Sequence, residues 1–171
     1  QGSFAVLHYQ GFTKIIIVLI ISPIIAFCVG YMMYTIVKIV FKNSNLTRTN
    51  RNFRFFQIFT AALQSFSHGT NDAQKSMGII TLALIVGNLQ DGSNVEPQVW
   101  VKVECATAMG LGTAVGGWKI IKTVGGNIMK IRPANGAAAD ISSALTIFVA
   151  SSLHFPLSTT HVVSSSILGV G

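Results

Sequence analysis

Ser67-His68-Gly69-Thr70-Asn71-Asp72-Ala73-Gln74-Lys75 is a polar run inside a hydrophobic stretch, with apolar residues dominating 53–59 before it and 77–86 after it. Polar groups are costly at membrane depth, where irregular backbone is tolerated only when it is buried in protein or lines a cavity. We therefore predict that segment 53–88 is a broken helix with its break at Gly69-Thr70. The charges on either side require one net crossing here, which favours two half-helices in series over a re-entrant hairpin.

A second polar interruption, Pro156-Leu157-Ser158-Thr159-Thr160-His161, lies near the end of the chain. Proline has no backbone N–H and disfavours helix at the residue before it, so segment 134–171 is predicted to be a helix pair broken at Pro156. Ser158, Thr159 or Thr160 can cap the helix that follows, and Thr70, Asn71 or Asp72 can do the same after the first break. Two broken hydrophobic segments in one chain point to the binding site of a transporter.

Composition places the chain in a bilayer, because half of the residues are hydrophobic and 10% are charged, against roughly 25% charged in soluble domains. No charged side chain occurs from position 15 to 37, a gap of 23 residues. A helix of about 20 apolar residues is long enough to cross a bilayer. We predict spanning helices at 14–41 and 98–118. In the first, the Ser22 hydroxyl is expected to bond a carbonyl freed by Pro23, and in the second, Gly112 and Gly116 are expected to form a close helix contact.

The net charge of +7 is unevenly distributed. Segments 38–54 and 119–132 hold basic residues without an acid, whereas 88–97 holds Asp91 and Glu96 without a base. Basic patches occur in nucleic-acid-binding proteins, but these flank apolar spans, so the positive-inside rule is the better interpretation. It places 38–54, which contains the basic loop 42–54, and 119–132 in the cytoplasm, and 88–97 outside.

The polar residues favour transport of an anion with a cation. Helix N-termini bind anions, and the hydroxyls at 158–160 together with the amides of Asn71 and Gln74 would add neutral donors. Asp72 would repel an anion unless a cation lay between them, and oxygen ligands suit hard cations. Lys75, three residues beyond Asp72, could instead pair with it structurally.

Two other functions stay open from the residues alone. One is an intramembrane metal-dependent hydrolase that uses His68, His161 and Asp72, although the metalloprotease pattern HExxH is absent from the sequence. The other is a passive anion channel or scaffold. We expect no enzyme activity and no cofactor beyond a coupling cation, and the two cysteines give no disulfide framework.

The chain resembles the inorganic phosphate transporter (PiT) family, in particular the second (C-terminal) repeat of its bacterial branch. The resemblance rests on 68–80 and 156–161, on the continuation through 164–171, and on the glycine-rich 110–120 and Ser22-Pro23-Ile24. It implies an all-α integral membrane protein in the cell (plasma) membrane, multi-pass, with inverted-topology repeats and broken or re-entrant helices. This chain would be about one half of such a transporter.

The resemblance implies cation-coupled symport of inorganic phosphate, driven by Na⁺ or H⁺, by a protein that is commonly a homodimer. The implied phosphate ligands are Asn71, Gln74, Ser158, Thr159 and Thr160, and the implied cation ligands are Asp72, Asn71 and Thr159. The first repeat is missing, so a site between repeats would be half absent.

The family's Gly-Phe-Ala-Ala-Glu before the fourth segment is replaced by Asn135-Gly136-Ala137-Ala138-Ala139-Asp140. Three properties stay open: whether the coupling ion is Na⁺ or H⁺, the transport stoichiometry, and whether the transported anion is phosphate, arsenate or a metal–phosphate complex.

Overall fold

The computed structural model describes residues 9–43, 46–93, 95–123 and 132–171, and within these ranges the chain is helical with no strand. The fold is therefore all-α, as predicted. Two compact units form: one comprises Gln1–Ser65 and Ile131–Gly171, and the other Phe66–Lys130. The helices are α1 (Tyr9–Val40), α2 (Leu46–Val86), α3 (Val99–Thr123), α4 (Pro133–Ser152) and α5 (Thr159–Gly169).

In the first unit, α1, α4 and α5 pack together around two small apolar clusters. One joins the first half of α1 to the end of α4 and the start of α5, and its buried members are Ala26, Ile147, Leu157 and Val162. The other joins the second half of α1 to the start of α4 and the end of α5, and contains Ala138, Ala139, Val170, Met33 and Tyr34. This order makes α5 parallel to α1, with α4 antiparallel to both.

The contact between α1 and α5 depends on small residues that let the two backbones approach closely. A Cβ added at Gly30 would lie 2.7 Å from the carbonyl oxygen of Ser166, and one added at Gly169 would collide with the carbonyl of Phe27. The hydroxyl of Ser166 donates to the carbonyl of Ala26 at 3.4 Å. Close packing of this kind orients α5, whose first turn carries the second polar motif.

The predicted close contact of Gly112 and Gly116 is wrong for the described chain. Both glycines are exposed, and a Cβ added at either would meet nothing within 4 Å. Their neighbours Leu111 and Val115 are exposed as well. The sequence did contain a signal for the true contact, because Ser22, Ala26 and Gly30 recur every four residues along α1.

The prediction for Ser22 is also wrong. Helix α1 continues through Pro23, and Ser22 is buried with its hydroxyl making no hydrogen bond to any described residue. A proline inside a spanning helix is tolerated when neighbouring helices support it. Here α4 and α5 pack along α1 on both sides of Pro23, so helix continuity does not need the hydroxyl.

Helix α2 is continuous, so the predicted break at Gly69-Thr70 is wrong, both as half-helices in series and as a hairpin. No proline occurs between Leu46 and Val86, and an isolated glycine costs a helix only about 1 kcal/mol relative to alanine. The polar side chains also find partners one turn away on the same helix, as described below. At 1.5 Å per residue, the 41 residues of α2 extend about 60 Å.

The predicted basic loop 42–54 is mostly helical, because α2 begins at Leu46. Residues 46–54 contain neither glycine nor proline, and arginine is a good helix former. An edge-to-face contact between Phe41 and Phe53, with ring centroids 5.0 Å apart, holds the end of α1 against the start of α2. The connection is therefore short, and residues 44–45 lie outside the described ranges.

Helices α2 and α4 end in the same way, in a Schellman motif. The N–H of Leu89 bonds the carbonyl of Leu84 at 2.9 Å, and that of Phe155 bonds the carbonyl of Ala150 at 2.9 Å. The preceding residues, Asn88 and His154, have positive φ angles of 53° and 55°. Left-handed backbone thus ends each helix sharply.

The remaining helix bounds are close to the predictions: α3 begins one residue after the predicted 98 and extends five residues beyond 118, and α4 ends before Pro156. Among the described residues, only Gly11–Val40 is both long and apolar enough to be a membrane-span candidate. Hydrogen bonds from the N–H and hydroxyl of Ser93 lower the pKa of Asp91, because they favour its ionised form. Much of the basic segment 119–132 lies outside the described ranges.

Candidate functional site

The second polar motif begins where α4 stops. His154 takes the left-handed conformation after the last helical turn, and the chain then passes through Phe155 and Pro156 before α5 begins at Thr159. The predicted interruption at Pro156 is confirmed. Leu157 anchors this short connection in the core, where it is buried beside Ala26 and Val162.

Ser158 is the N-cap of α5, as the sequence predicted for one of the three hydroxyl residues. Its hydroxyl accepts the N–H of His161 at 3.5 Å, and its carbonyl accepts the N–H of Val162 at 3.1 Å. Thr159 is buried, whereas Thr160 is exposed. The α5 N-terminus therefore presents one buried and one exposed hydroxyl beside the positive end of the helix dipole.

A cationic side chain from a distant part of the sequence lies near this connection. The ammonium nitrogen of Lys14 stands 5.0 Å from the centroid of the Phe155 ring, within cation–π distance. Lys14 is on the first turns of α1, so 141 positions separate it from Phe155, and no local pattern relates them. Its charge has the same sign as the helix start and favours an anion at this end of the bundle.

The first polar motif lies on α2 in the second unit, where three of its residues share one helix face. Asp72 contacts two basic side chains, each through a different carboxylate oxygen. Lys75 Nζ donates to Oδ1 at 3.0 Å, and His68 Nε2 lies 3.3 Å from Oδ2. Spacings of three and four residues place these side chains on the same helix face, so the predicted pairing of Lys75 with Asp72 is confirmed.

The amides of this motif differ in exposure. Asn71 is buried, together with Ser67 one turn earlier, whereas Gln74 is exposed. The candidate caps Thr70, Asn71 and Asp72 all lie in mid-helix, so that prediction is wrong. Because no helix begins here, an anion at this motif would be bound by side chains and not by the N–H groups of a helix start.

Asp140 of α4 has a partner that is distant in sequence. Thr60, which is 1% exposed, lies with its hydroxyl 3.1 Å from Asp140 Oδ2 and 3.2 Å from the carbonyl of Gln57. The side chain of Gln57 also fills the space where a Cβ at Gly136 would stand. This polar contact joins the first half of α2 to α4, across 80 positions of sequence.

The predicted site residues thus fall into two groups. Asn71, Asp72 and Gln74 lie within one turn of α2 in the second unit, and Ser158, Thr159 and Thr160 lie at the start of α5 in the first unit. For the hydrolase hypothesis, His68 does contact Asp72. Among residues that the structure describes, however, no group of three histidine, cysteine or acidic side chains is placed to hold a metal ion.

Comparison with known proteins gives a consistent result. The sequence profile of the phosphate transporter family matches residues 1–171. A probable low-affinity inorganic phosphate transporter of Bacillus subtilis is 66% identical over 170 residues, which are 99% of this chain and 51% of that protein. One of the same name from Rhizobium meliloti is 38% identical over 171 residues, covering 100% of this chain and 51% of that protein.

A more distant relative, sodium-dependent phosphate transporter 1 of Pongo abelii, is 34% identical over 120 residues, or 70% of this chain and 18% of that protein. The chain spans about half the length of the first two relatives. These relatives are named as transporters and not as enzymes, in agreement with the expectation of no enzyme activity. No solved structure matches the chain.

Proposed function

The chain belongs to the phosphate transporter family, and from that premise we propose that the full-length protein carries inorganic phosphate across the cell membrane together with a cation, Na⁺ or H⁺. The observation that carries the proposal is the family match along all 171 residues, which includes both polar motifs. The capped start of α5 supports it, since this feature lies in a hydrophobic segment and suits an oxyanion.

Phosphate is assigned first to the α5 start. The N–H groups of a helix's first turn point out of the helix end, and Ser158, Thr159 and Thr160 surround that end. Asn71 and Gln74 are the proposed phosphate ligands on α2, through amide N–H groups. All of these proposed phosphate ligands are neutral donors. Neutral donors can bind phosphate and still release it, whereas a fixed positive charge would bind it more tightly.

The cation is assigned to Asp72, with Asn71 and Thr159 as further oxygen ligands. A carboxylate at the bilayer centre costs about 2.5–3.5 kcal/mol even on lenient insertion scales, so a mobile cation at Asp72 would offset that cost during transport. Cation movement also offsets the work of bringing an anion into a negatively charged cell, about 2.3 kcal/mol per charge at 100 mV.

The membrane arrangement belongs to the same proposal. The protein is multi-pass in the plasma membrane, with a first repeat of inverted topology that would complete the site, and it forms a homodimer. Trp100 and Trp118 are both exposed near opposite ends of α3. Eighteen residues of helix separate them by about 27 Å, close to the hydrocarbon thickness of about 30 Å, and tryptophan favours both interfaces.

Uptake of radiolabelled phosphate by the full-length protein in proteoliposomes tests the proposal, with Na⁺ and pH gradients imposed separately. We expect accumulation above equilibrium that collapses when the driving gradient is removed. Asp72→Asn should reduce gradient-driven accumulation by at least about tenfold, the effect of losing roughly 1.4 kcal/mol of cation binding.

The matched control is Asp91→Asn, which removes an exposed loop carboxylate and should leave uptake unchanged. Undiminished coupled uptake by Asp72→Asn would contradict the role of Asp72. Phosphate equilibration without accumulation under every gradient would identify a passive channel.

A further inference from the structure

The carboxylate proposed to hold the cation already has a cation beside it. Lys75 Nζ is 3.0 Å from Asp72 Oδ1, a normal distance for a charge-assisted hydrogen bond. The i, i+3 spacing on continuous α2 makes this approach a property of the helix itself. An incoming cation that binds at Oδ1 therefore competes with the ammonium group for that oxygen.

The pair is placed so that displacement is feasible. The Asp72 side chain is 26% exposed and that of Lys75 46% exposed, so the pair is neither sealed in the core nor fully solvated. Lysine is a point charge on a flexible four-carbon stem, and it can swing away without disturbing the helix. Partly exposed pairs of this kind are weak, because solvent screens them.

The other carboxylate oxygen of Asp72, Oδ2, has a less mobile partner than Oδ1. His68 Nε2 lies 3.3 Å from Oδ2, and four residues of helix hold the imidazole there. Asp72 thus contacts both an aromatic ring with few rotamers and a flexible ammonium group. Of the two, Lys75 is the partner that can leave most readily.

We propose that Lys75 is a built-in competitor for the cation site at Asp72, and that it sets the site's cation affinity low. The inference rests on the proposed function, which puts the transported cation at Asp72. In the unloaded state the ammonium group neutralises the carboxylate. When a cation binds, the ammonium group is released on the same helix face.

Binding of radioactive Na⁺ to the purified full-length protein tests the proposal with a defined probe. Lys75→Met keeps the length of the side chain and removes its charge, so its apparent Kd for Na⁺ should fall by about threefold or more, as expected for removal of a partly exposed competing pair. Lys75→Arg keeps the charge and should return the Kd to the native value. Lys102→Met removes an exposed lysine of α3 and serves as the matched control.

Asp72→Asn should abolish the Na⁺ binding that Lys75→Met enhances. The proposal is overturned if Lys75→Met binds Na⁺ with unchanged or weaker affinity, if Lys75→Arg behaves like Lys75→Met, or if no variant binds Na⁺. Elution of each variant as a single size-exclusion peak controls for folding, and Lys75→Gln provides a second neutral variant if Lys75→Met fails that control. Phosphate uptake is measured separately, so a protein that binds Na⁺ as expected yet does not transport phosphate contradicts the proposed function alone.

Discussion

At the residue scale, His154 carries a local backbone cost that the sequence did not reveal. It occupies the left-handed position that ends α4, with φ of 55°, where a Cβ is unfavourable and glycine is the usual residue. The hydrogen bonds of the Schellman motif hold it there, at 3.0 Å from the His154 N–H to the carbonyl of Ser151. The chain therefore tolerates strain at the turn leading into the second polar motif.

His154→Gly should stabilise the protein by about 0.5–1 kcal/mol, because glycine adopts this backbone conformation without a Cβ clash. The measurement is the thermal unfolding midpoint of the full-length protein in detergent. Asn88→Gly tests the same position at the end of α2 and should give a smaller gain, since asparagine tolerates left-handed backbone. His161→Gly, within helical backbone, should lower the midpoint, and a lower midpoint for His154→Gly as well would contradict the prediction.

Residue contacts could be predicted from sequence when they lie within one helical turn. The pairing of Asp72 with Lys75 and the cap at Ser158 both depend on spacings of three residues, which helix geometry converts directly into proximity. The contacts of Asp140 with Thr60 and of Lys14 with Phe155 depend on packing between helices. One sequence contains no local pattern that specifies such pairs.

At the element scale, the close approach of α1 and α5 can be tested with two glycine-to-alanine substitutions that should change stability in opposite directions. Gly30→Ala would put a methyl group 2.7 Å from a backbone carbonyl of Ser166, so the helices must separate and stability should fall by about 1–3 kcal/mol, as for overpacked cores. Gly112→Ala meets nothing within 4 Å and should gain up to about 1 kcal/mol of helix propensity.

Thermal unfolding of the two full-length variants, compared with the native protein, measures both effects. Equal shifts for Gly30→Ala and Gly112→Ala would mean that the α1–α5 contact does not limit stability. Gly169→Ala should behave like Gly30→Ala, because its added methyl group would collide with the carbonyl of Phe27.

Helix ends were predictable where a residue forbids continuation and not where a residue merely disfavours it. Pro156 lacks a donor and restricts the residue before it, so the interruption between α4 and α5 followed from sequence. The helix ends themselves, Ser152 and Thr159, lie a few residues from the proline. Gly69 only weakens a helix, and the side chains around it make i, i+3 and i, i+4 contacts that favour continuation. The difference in free energy between a broken and a continuous helix at Gly69 is small. The polarity of the segment alone therefore predicted the wrong outcome.

At the scale of the whole molecule, the chain provides two compact units, each with one group of proposed ligands. The chain spans about half the length of the Bacillus subtilis and Rhizobium meliloti relatives. Transporters built from repeats place substrate and ion sites at the repeat interface, near the bilayer midplane. Transport is therefore expected to be a property of the complete protein.

The 171-residue chain reconstituted alone should show no phosphate uptake above that of protein-free liposomes, because it spans only about half the length of the relatives that are named as transporters. Radiolabelled uptake under the gradient that drives the full-length protein is the measurement. Co-expression of the chain with the complementary half as a second polypeptide should restore accumulation, and Asp72→Asn in the chain should remove it again. Accumulation by the chain alone would show that the ligands on α2 and α5 suffice for coupled transport.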